Sequence, residues 1–474
     1  MDFRPLHANE LPALRRYVER NPFRMADNSL GFLLMWRPYA HTAHAEAEGC
    51  LILRTAYGGK TRFAYPIHPD ADQDAELRAL AAVEAWCVSE GVPLILGSVP
   101  AERLPLLTRR YGRDMAISNP RTWRDYLYNL SDFVDYPGRR FAGQRNHVSK
   151  FRRAYPQALY RPMTAADVPA VNDFLREYAA RQYAKNSFLA KEELHATETL
   201  LSMFDDLSQV GGLMEVDGKI AAITVGEVIG DTLIVHVEKA LVGYEGIYPA
   251  IAQAFATAMQ RPGLDYINRE DDAGDCGLRK SKLQYNPIRL VDKYAVTPRR
   301  VIEELEAPPE LITDRLLIKP VPDADVHPYG RLARDLDRNR YWGWDWRAAW
   351  TGEGDPRDAW FLEIARTDFA KRIELDLGLY LGDTLVGECV FHNFTYDNTV
   401  ELGVRLLPEH EHHGYATEAM RAMADYALCY WGLEKVVAKC YRDNLPSKKM
   451  LLASGLRPDH EDDTFFHFSR TAKN

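Results

Sequence analysis

Apolar and polar positions alternate along this chain in two rhythms, one of helical spacing and one of strand spacing, and their order repeats. Residues 75–86 carry apolar side chains three and four apart, and residues 92–99 form an apolar run of strand length. Residues 165–183 and 191–207 show the helical period again. Three strand-like runs follow at 212–216, 220–228 and 232–238, with Asp217 and Gly218 as a hairpin turn between the first two. Further on, residues 315–320 read as an opening strand ahead of helical segments. Runs at 378–381, 384–392 and 399–406 read as three antiparallel strands, the first turn falling at Gly382 and Asp383. A helical stretch at 417–431, a strand at 435–441 and a helix at 447–454 ending at Gly455 complete this part. Each half thus predicts a strand meander feeding a helix, an α/β (α+β) arrangement of mixed, mostly antiparallel sheets flanked by helices.

A chain of 474 residues exceeds one ordinary core and accommodates roughly two to four domains. The acids from Glu303 to Glu306 lead into Pro308 and Pro309, which stop a helix and disfavour helix in the residue before them. The main boundary is expected there. It leaves a first part of residues 1–300, divided near Tyr155 and Pro156 into units of about 1–156 and 157–300. A linker at 301–309 and a second part at 310–474 follow.

Composition adds limits. With 46% hydrophobic and 27% charged residues the chain reads as globular, and its longest apolar runs fall far short of the roughly 18 residues that a membrane helix needs. The N-terminus has neither the basic cap nor the apolar core of a signal peptide, so the cytoplasm is the expected compartment, with peripheral contact with a membrane surface left open. Six cysteines, with no close pair and no metal-type spacing, are expected to be reduced thiols, mostly in the core. The net charge of −9 is unevenly placed: residues 301–474 carry 21 Lys and Arg against 31 Asp and Glu, and residues 1–300 carry 38 against 37. Within the neutral part, residues 139–153 hold six basic side chains and no acid, a run that either docks phosphates or forms a solvated helix face.

After the strand that ends at Leu406 comes a glycine turn, residues 408–419, that opens a helix. Amides at a helix N-terminus carry partial positive charge and can hold a pyrophosphate. This turn, with Leu402-Gly-Val-Arg-Leu406 before it and residues 442–456 after it, resembles the GNAT acyl-CoA transferases, especially those that acetylate ribosomal-protein N-termini. The resemblance covers about residues 310–470. It implies acetyl-CoA as cofactor, with pyrophosphate at the amides of His412, His413, Gly414, Tyr415, Ala416 and Thr417, pantetheine along the strand edge at Leu406, and Asn444 on the cofactor arm or substrate. Ser447 or Tyr441 would protonate the leaving thiol, and Glu401 is the candidate base for an incoming amine, or else an ordinary strand carboxylate. The family's loop usually has Gln or Arg and then Gly where this chain has Glu411 and His412, which places a carboxylate beside the expected pyrophosphate. The histidines of this turn are read as a solvated turn, and no metal is expected.

In the first part, residues 268–287 run from four carboxylates, Glu270, Asp271, Asp272 and Asp275, through two glycines into a basic segment with Arg279, Lys280 and Lys282. The acids suit an ammonium group and the bases a polyanion. His236 and Glu238 alternate on a strand and share one face. Residues 123–130, 143–152, 235–240 with 246–249, and 268–287 resemble, in order, the soluble catalytic domain of the phosphatidylglycerol lysyltransferases, a family built from two tandem GNAT-like folds that takes its amino acid from an aminoacyl-tRNA. Three GNAT-like units are therefore expected, two in tandem and one C-terminal. The resemblance implies that Glu238, Asp271 and Asp272 bind the donor's ammonium and accept a proton from the attacking group, with His236 or Arg279 stabilising the oxyanion. Arg145, Lys150, Arg279, Lys280 and Lys282 would hold the tRNA end. In the alternative, Glu238 pairs with Lys239 and Asp271 caps a helix.

The expected function is an acyltransferase that fuses an aminoacyl-tRNA-dependent aminoacyltransferase-like module to an acetyl-CoA-dependent N-acetyltransferase module, acting on a soluble amine, peptide or protein. Two rivals remain at this point. Either the C-terminal N-acetyltransferase alone is active and the N-terminal part recognises its substrate, or the chain is a non-enzymatic ligand-binding or regulatory protein.

Overall fold

The computed structural model describes residues 1–112, 115–182 and 188–472. Its contacts divide into two compact units, one of Met1–Trp86, Leu94–Leu106 and Ala116–Thr297, the other of Cys87–Pro93, Leu107–Met115 and Pro298–Asn474.

The first unit holds two seven-stranded sheets. One runs Arg4–Pro5, Ala43–Ala47, Cys50–Tyr57, Lys60–Ala64, Leu96–Pro100, Lys293–Thr297, Ala116–Ser118. The other runs Arg289–Val291, Asp125–Asn129, Tyr266–Asn268, Thr232–Ala240, Lys219–Ile229, Val210–Val216, Leu159–Pro162. The sheets thus exchange strands across the expected division near residue 156. Asp125–Asn129 pairs in the second sheet, and Lys293–Thr297 returns to the first. This exchange brings side chains from both ends of the unit to one seam.

The second unit holds one eight-stranded sheet: Leu311–Ile312, Leu317–Lys319, Leu375–Leu381, Thr384–His392, Thr399–Leu406, Lys435–Tyr441, Phe465–Thr471, Arg457–Glu461. Each of the three sheets is antiparallel except for one parallel pair, and a parallel pair needs a crossover. Helices Gln73–Glu90, Ile247–Met259 and Tyr415–Asp425 supply those crossovers. The same arrangement recurs in all three sheets, so the expected mixed, mostly antiparallel sheets flanked by helices are present.

Local chemistry sets the element ends. The helix expected at 75–86 extends over Gln73–Glu90 and stops at Gly91, whose φ of 64° ends it. Val92 N–H bonds back to the Cys87 carbonyl, which delays the next strand to Leu96–Pro100. Asn444 caps the helix Leu445–Ala453 through Ser447 N–H at 3.2 Å and starts it two residues before the expected position. Apolar side chains such as Leu377, Cys389, Val400, Met423 and Val436 are fully buried between the third sheet and its helices. Burial of each large one contributes roughly 1.5–3 kcal/mol. Four of the six cysteines are buried, while Cys276 and Cys429 are exposed, and all six are free thiols. Among the described residues no helix is long and apolar enough to cross a membrane.

Candidate functional site

In the second unit the strands Thr399–Leu406 and Lys435–Tyr441 pair in parallel only at Thr399 with Lys435, Val400 with Val436 and Glu401 with Val437. Beyond Glu401 the parallel pairing stops, which frees the Leu402–Leu406 edge on that side. A cleft of about 1140 Å³ opens there. Its lining includes Leu406, His412, Gly414, Tyr415, Ala416 and Thr417 at one part, and Glu401, Tyr441, Asn444 and Ser447 at another. The structure therefore brings together every residue singled out in this part except His413. The His413 carbonyl accepts from Arg315 Nη1 at 3.0 Å, and its ring stacks on Tyr415. Gly414 has a left-handed φ of 79° and stands as N-cap of Tyr415–Asp425, so the glycine is required at this turn.

Glu401 sits where the two strands separate. Asn393 Nδ2 donates to its Oε2 at 2.8 Å, and its Oε1 lies 3.2 Å from Lys439 Nζ and 3.8 Å from His392 Nε2. Burial holds the His392 imidazole below its ordinary value, which favours the neutral, proton-accepting ring. Neither His392 nor Lys439 was anticipated from the sequence. Each lies near one end of a largely apolar strand, and only register places His392 opposite Glu401.

The same cleft carries an acid-rich wall. Glu388 is buried and bound by Arg405 and by the Tyr329 hydroxyl. Carboxylate oxygens of Asp368, Glu374 and Asp376 come within 4.8 Å of one another. Desolvation and mutual repulsion push Glu374 up to about 7 and Asp376 well above the usual carboxylate range. Charged residues at inward positions of otherwise apolar strands, such as Asp376, Glu388 and Arg405, were the available signal for this wall.

In the first unit the exchanged strand brings Lys293 to the seam between the sheets. Its ammonium lies 2.6 Å from Asp27 Oδ2, 2.8 Å from Asp125 Oδ1 and 3.6 Å from Asp271 Oδ2. Burial alone would lower the Lys293 value, but the Asp125 and Asp27 charges hold it above the ordinary one. Asp271 is the most solvent-open of these carboxylates, its side chain 27% exposed. Burial pushes it up to about 6, against the pull of Lys293.

His236 is fully enclosed. Its Nδ1 lies 2.7 Å from Glu270 Oε1 and its Nε2 2.9 Å from Glu227 Oε1. Burial works against protonation, yet the two carboxylate hydrogen bonds push the imidazole up to about 9. It is therefore an imidazolium that donates from both nitrogens at neutral pH. Gly31 N–H also donates to Glu227 Oε1, at 2.6 Å, so helix Leu30–Trp36 is tied to this group.

The remaining singled-out residues separate into distinct pairs. Glu238 takes Arg269 at 2.7 Å, and burial raises its value. Lys239, its sequence neighbour, pairs instead with Glu193. Asp272 is buried and bound by Arg279, Arg121 and the Tyr126 hydroxyl, and the Arg279 bonds hold it far below the usual range. Asp275 caps the helix Cys276–Leu283 through Leu278 N–H. Lys282 is buried and donates to the carbonyls of Arg269 and Asp271, and burial lowers it to about 8. Lys150 pairs with Glu245, and Arg145 donates to the Tyr136 and Gly138 carbonyls. Lys280 is exposed. Two contacts join the basic run to the other basic segment: Gln144 Nε2 donates to the Gln284 carbonyl and Asn286 Nδ2 to the Arg140 carbonyl.

The family model of phosphatidylglycerol lysyltransferase, C-terminal, matches residues 20–297, more than half of the chain. The chain belongs to this family. Beside its lysyltransferase-family part, a second match, to the acetyltransferase (GNAT) domain, covers residues 315–457. YnaD of Bacillus subtilis, an uncharacterized N-acetyltransferase, is 32% identical over 75 residues, which is 16% of this chain and 44% of that protein. The chain thus spans less than half the length of this relative. YoaA of the same organism, also an uncharacterized N-acetyltransferase, is 24% identical over 154 residues, 32% of this chain and 84% of that protein. A solved structure of a conserved protein of unknown function from Bacteroides thetaiotaomicron is 27% identical, covers 63% of this chain and 99% of its own, and has a TM-score of 0.59. Both matched families are transferases of acyl groups, and at the level of class the chain is an acyltransferase.

Proposed function

We propose that the C-terminal unit transfers an acetyl group from acetyl-CoA to an amine. One observation carries this: Glu401 stands at the point where Thr399–Leu406 leaves its parallel partner, in the same cleft as the Gly414 turn. The freed strand edge suits the amides of pantetheine, and the Gly414 to Thr417 amides suit the pyrophosphate. A neutral amine attacks the thioester carbonyl, a carbon–nitrogen bond forms and the carbon–sulfur bond breaks. Glu401, with the neutral His392 beside it, takes the amine's proton, and Tyr441 or Ser447 delivers a proton to the departing thiolate. Positioning an already activated thioester supplies much of the rate. The wall of Asp368, Glu374, Asp376 and Glu388 offers carboxyl groups that can hydrogen-bond a polar acceptor. Calorimetry with acetyl-CoA tests the donor, and thiol release in the presence of primary amines tests the reaction. Absence of both heat and thermal shift with acetyl-CoA removes the claim.

A second activity, aminoacyl transfer from an aminoacyl-tRNA by residues 1–300, is supported by Asp271, a solvent-open carboxyl backed by Lys293 and raised toward neutral pH. Such a group accepts a proton from an attacking amine near pH 6 to 7. Charged tRNAs incubated with the protein should lose their amino acid faster than by spontaneous hydrolysis. Equal decay with wild type and Asp271→Ala would leave the acetyltransferase alone, with the first part as its recognition module. The two modules are taken to meet at the 301–309 linker, the acceptor to be a soluble amine, peptide or protein, and the location to be cytoplasmic.

A further inference from the structure

Arg315 lies in the turn between the strands Leu311–Ile312 and Leu317–Lys319, and its side chain is 46% exposed. Its Nε donates to Glu418 Oε2 at 2.7 Å, its Nη1 donates to the His413 carbonyl at 3.0 Å, and its guanidinium lies 4.8 Å from the centre of the Tyr415 ring. Glu418, in the first turn of Tyr415–Asp425, is fully drawn to that side. Its Oε1 accepts from Arg315 N–H at 3.0 Å and from the Thr313 hydroxyl at 2.6 Å. Gly414, Tyr415, Ala416 and Thr417 line the cleft, whereas Arg315 and His413 are not among its lining residues. Arg315 therefore grips the loop from behind.

A trans peptide group is planar, so its carbonyl and the following N–H point in opposite directions. Holding the His413 carbonyl on the outer side turns the Gly414 N–H toward the cleft. The left-handed residues His412, φ 63°, and Gly414, φ 79°, flank this segment and leave it outside a regular hydrogen-bond ladder. Arg315 is the side chain that fixes its direction.

We propose that Arg315 is a positioning residue for the pyrophosphate of the acyl-CoA donor, acting through the His413–Gly414 peptide so that Gly414 N–H joins the first-turn amides of the helix. The proposal rests on the donor assignment made above. It also gives this loop, which has Glu411 where the resembled family usually has Gln or Arg, an orienting contact from a neighbouring turn.

The test compares acetyl-CoA with S-acetylpantetheine, which keeps the thioester arm and lacks the pyrophosphate, on the full chain. Arg315→Gln should raise both Kd and KM for acetyl-CoA by roughly 10- to 100-fold, the worth of a hydrogen bond to a charged group, with kcat and the KM for S-acetylpantetheine unchanged. Arg315→Lys, which keeps a charge and a donor for the His413 carbonyl, should recover most of the loss. Wild-type affinity in Arg315→Gln overturns the proposal, as does an equal loss with both donors, which marks a merely structural role. If the glutamine variant does not fold, Arg315→Met, which keeps an unbranched chain over the Tyr415 ring and removes the donor to the His413 carbonyl, takes its place: a KM raised for acetyl-CoA but not for S-acetylpantetheine supports the proposal, and two unchanged values overturn it. Failure of the donor assignment itself is told apart because wild type then gives no heat with acetyl-CoA.

Discussion

Asp271 faces Lys293 across 3.6 Å, while Asp27 and Asp125 hold the same ammonium at 2.6 and 2.8 Å. One cation thus answers three carboxylates, and Asp271 is the farthest and most open of them. The Asp271 carboxyl lies at about 6 against an ordinary 3.8, so between those values the folded state binds the proton more tightly than the unfolded chain. Its contribution to stability is greatest below the ordinary value and is lost as pH rises to about 6. Asp271→Asn should remove that slope from a urea-midpoint profile. It should also lower aminoacyl transfer by about 10²–10⁴-fold and abolish the rise in rate through pH 6. A variant that keeps the rate limb would assign the limb to another group.

His236 has the same sign in a higher pH window. Its folded value of about 9 lies above the ordinary 6.5, so its contribution is fully present below 6.5 and is lost as pH rises through about 9. Replacing it with Leu leaves Glu227 and Glu270 without their shared cation, at a cost of about 3–5 kcal/mol near neutral pH. Denaturation of His236→Leu and wild type should show that gap shrinking as pH passes 9. A gap independent of pH would mean that packing, not charge, is what the imidazole supplies.

Gly31 leaves the space that this imidazolium occupies. A Cβ there would stand 2.4 Å from His236 Nε2 and 2.9 Å from Glu227 Oε1. Gly31→Ala must therefore displace the ring or helix Leu30–Trp36, and it should destabilise by about 1–3 kcal/mol. The loss should be much smaller in a His236→Ala background, and equal losses in both backgrounds would show that the contact is not what matters.

How far such contacts could be read from sequence depends on their range. The strands 384–392, 399–406 and 435–441 and the Gly414 turn follow from local period and turn chemistry, and they fell at the expected residues. The early strands Ala43–Ala47, Cys50–Tyr57 and Lys60–Ala64 lay outside those expectations, as did the final hairpin Arg457–Glu461 and Phe465–Thr471. Lys60–Ala64, short and polar-rich, carries little alternation, and tertiary pairing decides it. The four acids at 270–275 looked like one ammonium-binding group. In the fold Asp275 caps a helix, Asp272 is saturated by Arg279 and Arg121, Glu270 goes to His236, and Asp271 alone faces Lys293. Pairing across more than a hundred residues, as between Lys293 and Asp27, leaves no local pattern to read.

Lys280 is exposed on the helix Cys276–Leu283, and contacts from Gln144 and Asn286 set that helix end beside the basic run. Lys280→Ala should weaken tRNA binding similarly for all sequences. It should also reduce the slope of log K against log salt by about 1, as expected when one phosphate contact is lost. Filter binding at several salt concentrations reads both. An unchanged slope would take this face out of nucleic-acid contact.

In the acetyl transfer proposed above Glu401 is the candidate base, and its surroundings permit two roles. Lys439 at 3.2 Å makes it a charge partner, and His392 and the cleft make it a proton acceptor. As a base, Glu401→Gln should lower kcat by about 10²–10⁴-fold while leaving acetyl-CoA affinity intact, because the cofactor loop does not depend on it. As a mere charge partner, the harm would come from an uncompensated Lys439. The double change Glu401→Gln with Lys439→Met separates the two. A base once removed stays removed, so the double variant should remain as slow as the single one. Recovery of kcat in the double variant would instead assign proton transfer to His392 and leave Glu401 to balance Lys439.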